Sequence, residues 1–320
     1  MTNPWTTLTR GDRDFDRDID KRTVVAARKH LDGPKTLQTK IGEVVTTTRP
    51  YYTEREDGIV GGFEETAEGT QEAPPMTPIN VADLKVRPRY YTAALVLSKN
   101  RVDDDGLGLV QQLAPKIMER AVERMEIDFQ NMIFNSPTVY NPERDQRDGV
   151  ALASAAHPTG PFGALSGNIA GTPGALTESS LATAVSSFAS IIDDNGDVAP
   201  RLPEKFVLAV HVSRMLYAQQ LVKSLSSTAD NKNSGVINPV SASNGLTFEV
   251  VPVFYQQNVN AWSLIAVDQG KSGLLIVMRQ APTRPRKIIR ENPDQVQYFS
   301  SMRYSTAIRD WRNFYFNPGS

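Results

Sequence analysis

Cysteine is absent from the 320 residues. That excludes disulfides and thiolate metal sites, and it leaves the redox compartment unread. Histidine occurs only at positions 30, 157 and 211, widely spaced, and no serine stands in a nucleophile elbow. Long apolar runs are missing: Phe206–Val210 and Leu274–Met278 are strand-sized and far short of a membrane span. Neither sign of charge prevails. Thirty-five Lys and Arg against 36 Asp and Glu leave −1, which argues against a dedicated nucleic-acid binder. Near the start, Asp and Arg stand where a secretory signal needs an apolar segment, so the expected compartment is the cytoplasm or something assembled there. What remains, 40% hydrophobic and 22% charged, suits a soluble folded chain of one large domain or two ordinary ones.

The most informative stretch runs from Asp103 to Asn135. Val110, Leu113, Ile117, Ala121, Met125, Phe129 and Met132 or Ile133 recur at steps of three and four, the stripe of a 3.6-residue helix. Glu119, Arg120, Glu123, Arg124 and Asp128 form the opposite face, expected to be solvated or paired with a neighbouring subunit. Asp103, Asp104 and Asp105 offer N-cap oxygens. Pro115 either kinks the helix or sits in the first turn of its longer half. Asn135-Ser136-Pro137 stops it. At ~1.5 Å per residue such a rod is on the order of 45 Å long, a spine for other elements.

Residues 1–40 lack a sustained period, and Gly11 to Arg22 alternates acids with bases. Such a segment cannot fold alone and reads as an arm that orders against a neighbour. Lys40 to Tyr52 is rich in Val, Thr and Tyr, and a return strand runs from Ile79 to Leu97. Between them lies a glycine-rich acidic tip, making a long hairpin that needs a surface to lie on: its own domain or another copy. Thr177 caps an amphipathic helix carrying Leu181, Ala184, Val185, Phe188, Ile191 and Ile192. A buried strand is expected at Phe206–Val212, a helix at Ser213–Val222, and a polar loop at Ser224–Gly245. Three strands follow, at Thr247–Phe254, Ala261–Val267 and Leu274–Arg279, giving a mixed α/β domain. Arg286–Arg290 and Val296–Phe316 read as aromatic-rich strands, with the spine as their natural partner.

No catalytic constellation emerges, and no catalytic, cofactor or metal residue is assigned. Gly106-Leu107-Gly108 begins a dinucleotide fingerprint, but Gln111 replaces its third glycine. Gly270-Lys271-Ser272 ends like a phosphate loop, yet Ile265 stands where the first glycine belongs. Asp193, Asn195 and Asp197 alternate like calcium ligands, but Gly196 is misplaced even though Glu204 falls twelfth, and a helix C-terminal turn explains the run better. His157 and His211 read as structural. The basic run Arg279, Arg284, Arg286, Lys287 and Arg290 is a solvated strand face, a patch for DNA phosphates, or a dock for an acidic partner. The hairpin tip is such a partner. Candidate inter-subunit residues are therefore Glu54, Glu56, Asp57, Glu64, Glu65 and Glu68 against Arg284, Arg286, Lys287 and Arg290.

The order of elements resembles the major capsid protein of tailed double-stranded-DNA phages, with its Hong-Kong-97-like fold. The resemblance is carried by Phe63-Glu64-Glu65-Thr66-Ala67-Glu68 through Pro74-Pro75, then Leu84-Lys85-Val86 and Tyr91-Thr92-Ala93-Ala94-Leu95-Val96-Leu97-Ser98. Asp148-Gly149, His157-Pro158, Leu176-Thr177-Glu178-Ser179-Ser180-Leu181, Asp193 to Gly196, Pro203 to Leu208 and Ala261-Trp262-Ser263-Leu264 look like the Mu-type head subunit. The resemblance spans about residues 40–316.

It implies an α+β chain with an arm (1–40), an extended β-hairpin loop (41–98), a peripheral domain with the spine (99–145 and 285–320) and an axial domain (146–284). It implies self-assembly of hexamers and pentamers into an icosahedral virion shell around packaged DNA, without enzyme activity, cofactor or membrane. Assembly in the host cytoplasm, non-specific DNA contact, and scaffolding, portal and decoration proteins as further partners follow from it. Lys85, on the return strand, is the only lysine in the hairpin region, so lysine–asparagine crosslinking is not expected. Two rivals are an encapsulin-like compartment shell, with a cargo groove, and a soluble α/β enzyme.

Overall fold

The computed structural model describes residues 36–60, 77–98, 100, 109–142, 148–159, 164–192, 203, 205–224, 246–268, 271–283, 285–289 and 295–320. The arm through residue 35, the acidic tip between 61 and 76, the aspartates at 103–105 and the alternating acids after Ile192 lie outside them.

The helix expected at the centre is present. After a short helix α1 (Leu37–Ile41), the spine α2 runs from Leu109 to Gln130 without a break at Pro115 and ends in a π-turn at Asn131–Asn135. Its stripe is buried at Met125, Phe129, Met132 and Ile133, and these meet residues from both sheets of the molecule in one cluster. The face read as polar is not solvated throughout. Asp128 is only 7% exposed, a correction whose cause is two tyrosines that lie over it.

One sheet holds β7 (Lys205–His211), β8 (Phe248–Val253), β9 (Trp262–Val267) and β13 (Phe314–Asn317), in the order β13-β9-β7-β8. β7 is parallel to β8 and antiparallel to β9. Its apolar run is continuous because both faces are covered. Val207 and Ala209 face the spine, while Phe206, Leu208 and Val210 face the helices α3 (Glu178–Ala189) and α4 (Met215–Lys223). Thr177 caps α3 as expected: its hydroxyl accepts from the Ser180 amide at 3.1 Å, and Ser180 answers to the Thr177 amide.

The other sheet is β1 (Glu43–Thr46), β10 (Leu274–Gln280), β12 (Gln295–Ile308) and β11 (Arg286–Ile289), with β4 (Arg89–Ser98) along the far side of β12. Period-two alternation divides β10. Leu274, Ile276 and Met278 join the spine cluster, whereas Leu275 and Val277 support Leu84 and Val86 on the opposite face.

The hairpin is β2 (Tyr52–Val60) with β3 (Thr77–Val86), paired from Tyr52↔Val86 outward. The single return strand expected over Ile79–Leu97 is two strands. Arg87-Pro88 separates β3 from β4 because proline has no N–H to give a ladder. The hairpin keeps its own partner while β4 joins β12. The boundary expected at 284–285 also cuts across the pairing: β10 belongs with β12, and β13 crosses to β9.

Candidate functional site

The spine carries polar side chains that tie unlike elements together. On one side Asp128 accepts from Tyr304 Oη at 2.7 Å and Tyr91 Oη at 3.1 Å, and Arg124 lies 2.9 Å away. These contacts fasten β12 and β4 to the helix. Burial first, and then the neighbouring carboxylate, push both tyrosine hydroxyls above their usual range.

On the other side Gln130, fully buried, receives the amides of Phe254 and Tyr255 on its carbonyl and donates to Glu126. Glu126 in turn accepts the Leu37 and Gln38 amides at 3.1 and 3.0 Å, closing the first turn of α1. Burial raises the Glu126 carboxyl above its ordinary value despite these donors. The π-turn aims Asn135 at the same edge, where it donates to Tyr255 O and accepts from the Gln257 amide.

At the root of the hairpin Arg309 joins three segments. Its guanidinium lies 2.5 Å from Glu43 and 3.0 Å from Glu54, whose carboxylate also accepts from Tyr52 Oη. Glu43 accepts the Ser272 and Gly273 amides at 2.9 Å each. Thus the Ser272 and Gly273 amides are already used, and that of Lys271 goes to Asp268 O. Gly273 turns at φ +79, with Asp310 O too near for a Cβ.

The loop after the spine carries a His-Asp-Asn group in which His157 and Asn168 are buried. His157 stacks on Trp311 with centroids 4.0 Å apart and approaches Asp148 at 2.6 Å and Asn168 at 3.3 Å. Asn168 also donates to Leu152 O and Trp311 O, so the group staples the loop after the spine to the C-terminal strands. His211 accepts from the Ser213 amide at the end of β7. The same ring nitrogen, Nδ1, also lies 2.8 Å from the exposed Ser213 hydroxyl, while His157 adjoins no nucleophile in these contacts.

Of the residues read from sequence as an inter-subunit contact, Glu54 lies at the root of the ribbon, ion-paired with Arg309 within the chain. The sequence offered no hint of this pair, since 255 positions separate its members. Glu56 and Asp57 lie on β2, in register with Ala82 and Asn80. Arg286 is exposed on β11 opposite Phe299, and Lys287 follows opposite Tyr298. Glu64, Glu65, Glu68, Arg284 and Arg290 lie outside the described residues. Sequence reading missed Glu126, Gln130 and Arg309, and it placed Asp128 on the face expected to be solvated or paired with a neighbour. A polar pair four apart inside the apolar stripe, Glu126 and Gln130, was the one available signal.

An architecture of two sheets on one spine, with a ribbon rooted on one sheet, meets its counterpart among known proteins. Residues 82–317 match the family described as phage capsid protein. The chain belongs to that family.

It is a structural protein that builds a shell, and its fold is Hong-Kong-97-like. The chain is similar to the capsid of a native GTA particle at 11% identity and TM-score 0.54, over 99% of this chain and 93% of that one. It is similar to Mycobacterium phage Patience at 11% identity and TM-score 0.56, over 97% and 89%. The mature capsid of bacteriophage PhiM1 gives 11% and 0.55, over 97% and 90%. At such identities the likeness is one of fold. No curated protein matched the sequence. Family membership makes the phage capsid subunit a self-assembling protein of the virion and sets the enzyme reading aside.

Proposed function

We propose that the chain is the major head subunit of a tailed phage, forming hexamers and pentamers that close an icosahedral shell around packaged double-stranded DNA. The observation that carries this is the β2–β3 ribbon. Its described apolar contacts are at the root, through Leu84, Val86 and Tyr52, and a two-stranded ribbon gains little stability in water alone. A ribbon rooted this way reaches for a neighbouring subunit.

In this reading residues 1–40 are an arm and, of the extended loop expected over 41–98, the β2–β3 ribbon is the projecting part, while β1 and β4 count with the β12 sheet. The spine with the β12 sheet is the peripheral domain, and the β7 sheet with α3 and α4 is the axial domain. Strand pairing supports counting β10 with the former and β13 with the latter, against the division at 284–285. Assembly takes place in the host cytoplasm with separate scaffolding and portal proteins, and decoration proteins and DNA meet the finished shell.

The acidic ribbon and the basic segment around β11 supply a heterologous contact between copies: Glu54, Glu56, Asp57, Glu64, Glu65 and Glu68 against Arg284, Arg286, Lys287 and Arg290. The variant Arg284→Glu with Arg286→Glu is expected to fold, by its thermal transition, yet to yield few closed particles by sedimentation. Normal particle yield would remove this contact.

A further inference from the structure

Every open sheet edge is a template for another chain, and folded proteins usually blunt theirs with charge, proline or brevity. Among the described strands this protein follows that rule at all but one place. β5 (His157–Thr159) and β6 (Ala164–Ser166) are three residues each, β1 and β11 are four, and β11 carries Arg286 and Lys287. β8 contains Pro252 and Glu249. β13 is covered by Ile169 and Ala170. The ribbon strands bear Glu54, Arg55, Glu56 and Asp57 on β2, and Pro78, Asp83 and Lys85 on β3.

Of these devices β4 has only Arg89, at its first position. It pairs with β12 over ten residues, an edge about 34 Å long at ~3.4 Å per residue, and from Tyr90 to Leu97 it has no charge and no proline. No described strand lies on its other side. One of its faces leaves Tyr90 54% and Val96 47% exposed.

We propose that β4 pairs antiparallel with β4 of a second copy across a two-fold axis, joining two subunits into one continuous sheet. This rests on the shell-forming role. Self-pairing is favoured because Tyr90 to Leu97 is neutral and Arg89 falls opposite Leu97 of the copy, so no like charges meet when the strand faces itself. Centring the axis on Ala93 sets Tyr90 opposite Val96 of the copy, and by symmetry Val96 opposite Tyr90. The two exposed apolar side chains then cover each other as aromatic and β-branched pairs. Thr92 meets Ala94, and Ala93 meets itself.

The absence of cysteine makes the test direct. Particles assembled from the full chain carrying Ala93→Cys are oxidised mildly and run without reductant. Directly opposed residues have Cβ atoms within reach of a disulfide, so most of the chain is expected at twice its mass. Tyr90→Cys is expected to stay monomeric, since two copies of position 90 are about 20 Å apart at ~3.4 Å per residue. In parallel, Ala93→Lys and Ala93→Glu should each lose assembly through self-repulsion, and an equimolar mixture should recover it. Particles that form while Ala93→Cys remains monomeric would overturn the pairing and leave the shell role intact, as would normal assembly of Ala93→Lys. If the unaltered chain forms no particles with any scaffolding partner, the shell role itself fails.

Discussion

Asp128 is an acidic residue on the helix face that sequence periodicity marks as polar, yet it is buried beneath Tyr304 and Tyr91. The carboxylate is worth burying only because two hydroxyls and Arg124 satisfy it. Tyr304→Phe is therefore expected to cost about 1–3 kcal/mol in urea unfolding at neutral pH. The same contact predicts an alkaline limit. Burial and Asp128 hold the Tyr304 proton in the folded state above the ordinary value of 10.0, whereas the unfolded chain releases it there. The folded state then binds more protons, so this stabilisation is complete below about pH 10 and is lost as pH climbs beyond it. Unfolding curves followed from pH ~8 to ~11 should fall less steeply for Tyr304→Phe than for the unaltered chain. An unchanged slope would mean the hydroxyl titrates freely.

At the scale of elements the ribbon depends on its root. Leu84 and Val86 lie fully buried against Leu275, Val277 and Ala307, and Arg309 ties Glu54 of the ribbon to Glu43. Leu84→Ala removes buried methyl groups from that contact, a loss of about 2–5 kcal/mol. Arg309→Gln leaves two carboxylates without their cation and should cost about 1.5–3 kcal/mol. In both variants hydrogen exchange is expected to quicken in residues 52–60 and 77–86 and to stay slow in β7 and β9. Uniform acceleration would show that the root belongs to the global core.

Elements of this kind differ in how far the sequence reveals them. The spine, the capped helix α3 and the strands β7 to β10 were legible because period, cap and length are local signals. The split at Arg87-Pro88 hid inside an apparently continuous run of strand formers. The crossing of β13 to β9 and the pairing of Arg309 with Glu54 depend on chain segments far apart in sequence, which local patterns do not encode. For the same reason the candidate contact was legible as charge composition and not as geometry.

For the whole molecule, the spine's apolar stripe and its polar residues make one core out of two sheets. A rigid body with a ribbon attached at its root is a subunit suited to repeated contacts of ~1,600 Å² or more, so that shell stability is the sum of many modest interfaces. Family membership and a fold shared along nearly the full chain agree with that physics. The central claim is that this chain is a self-assembling shell subunit. Electron microscopy of the high-molecular-weight material pelleted from cells producing it, alone and then with a candidate scaffolding protein, tests it most directly. Uniform closed shells or ordered capsomer sheets are the predicted result. Persistent monomers under both conditions would contradict it.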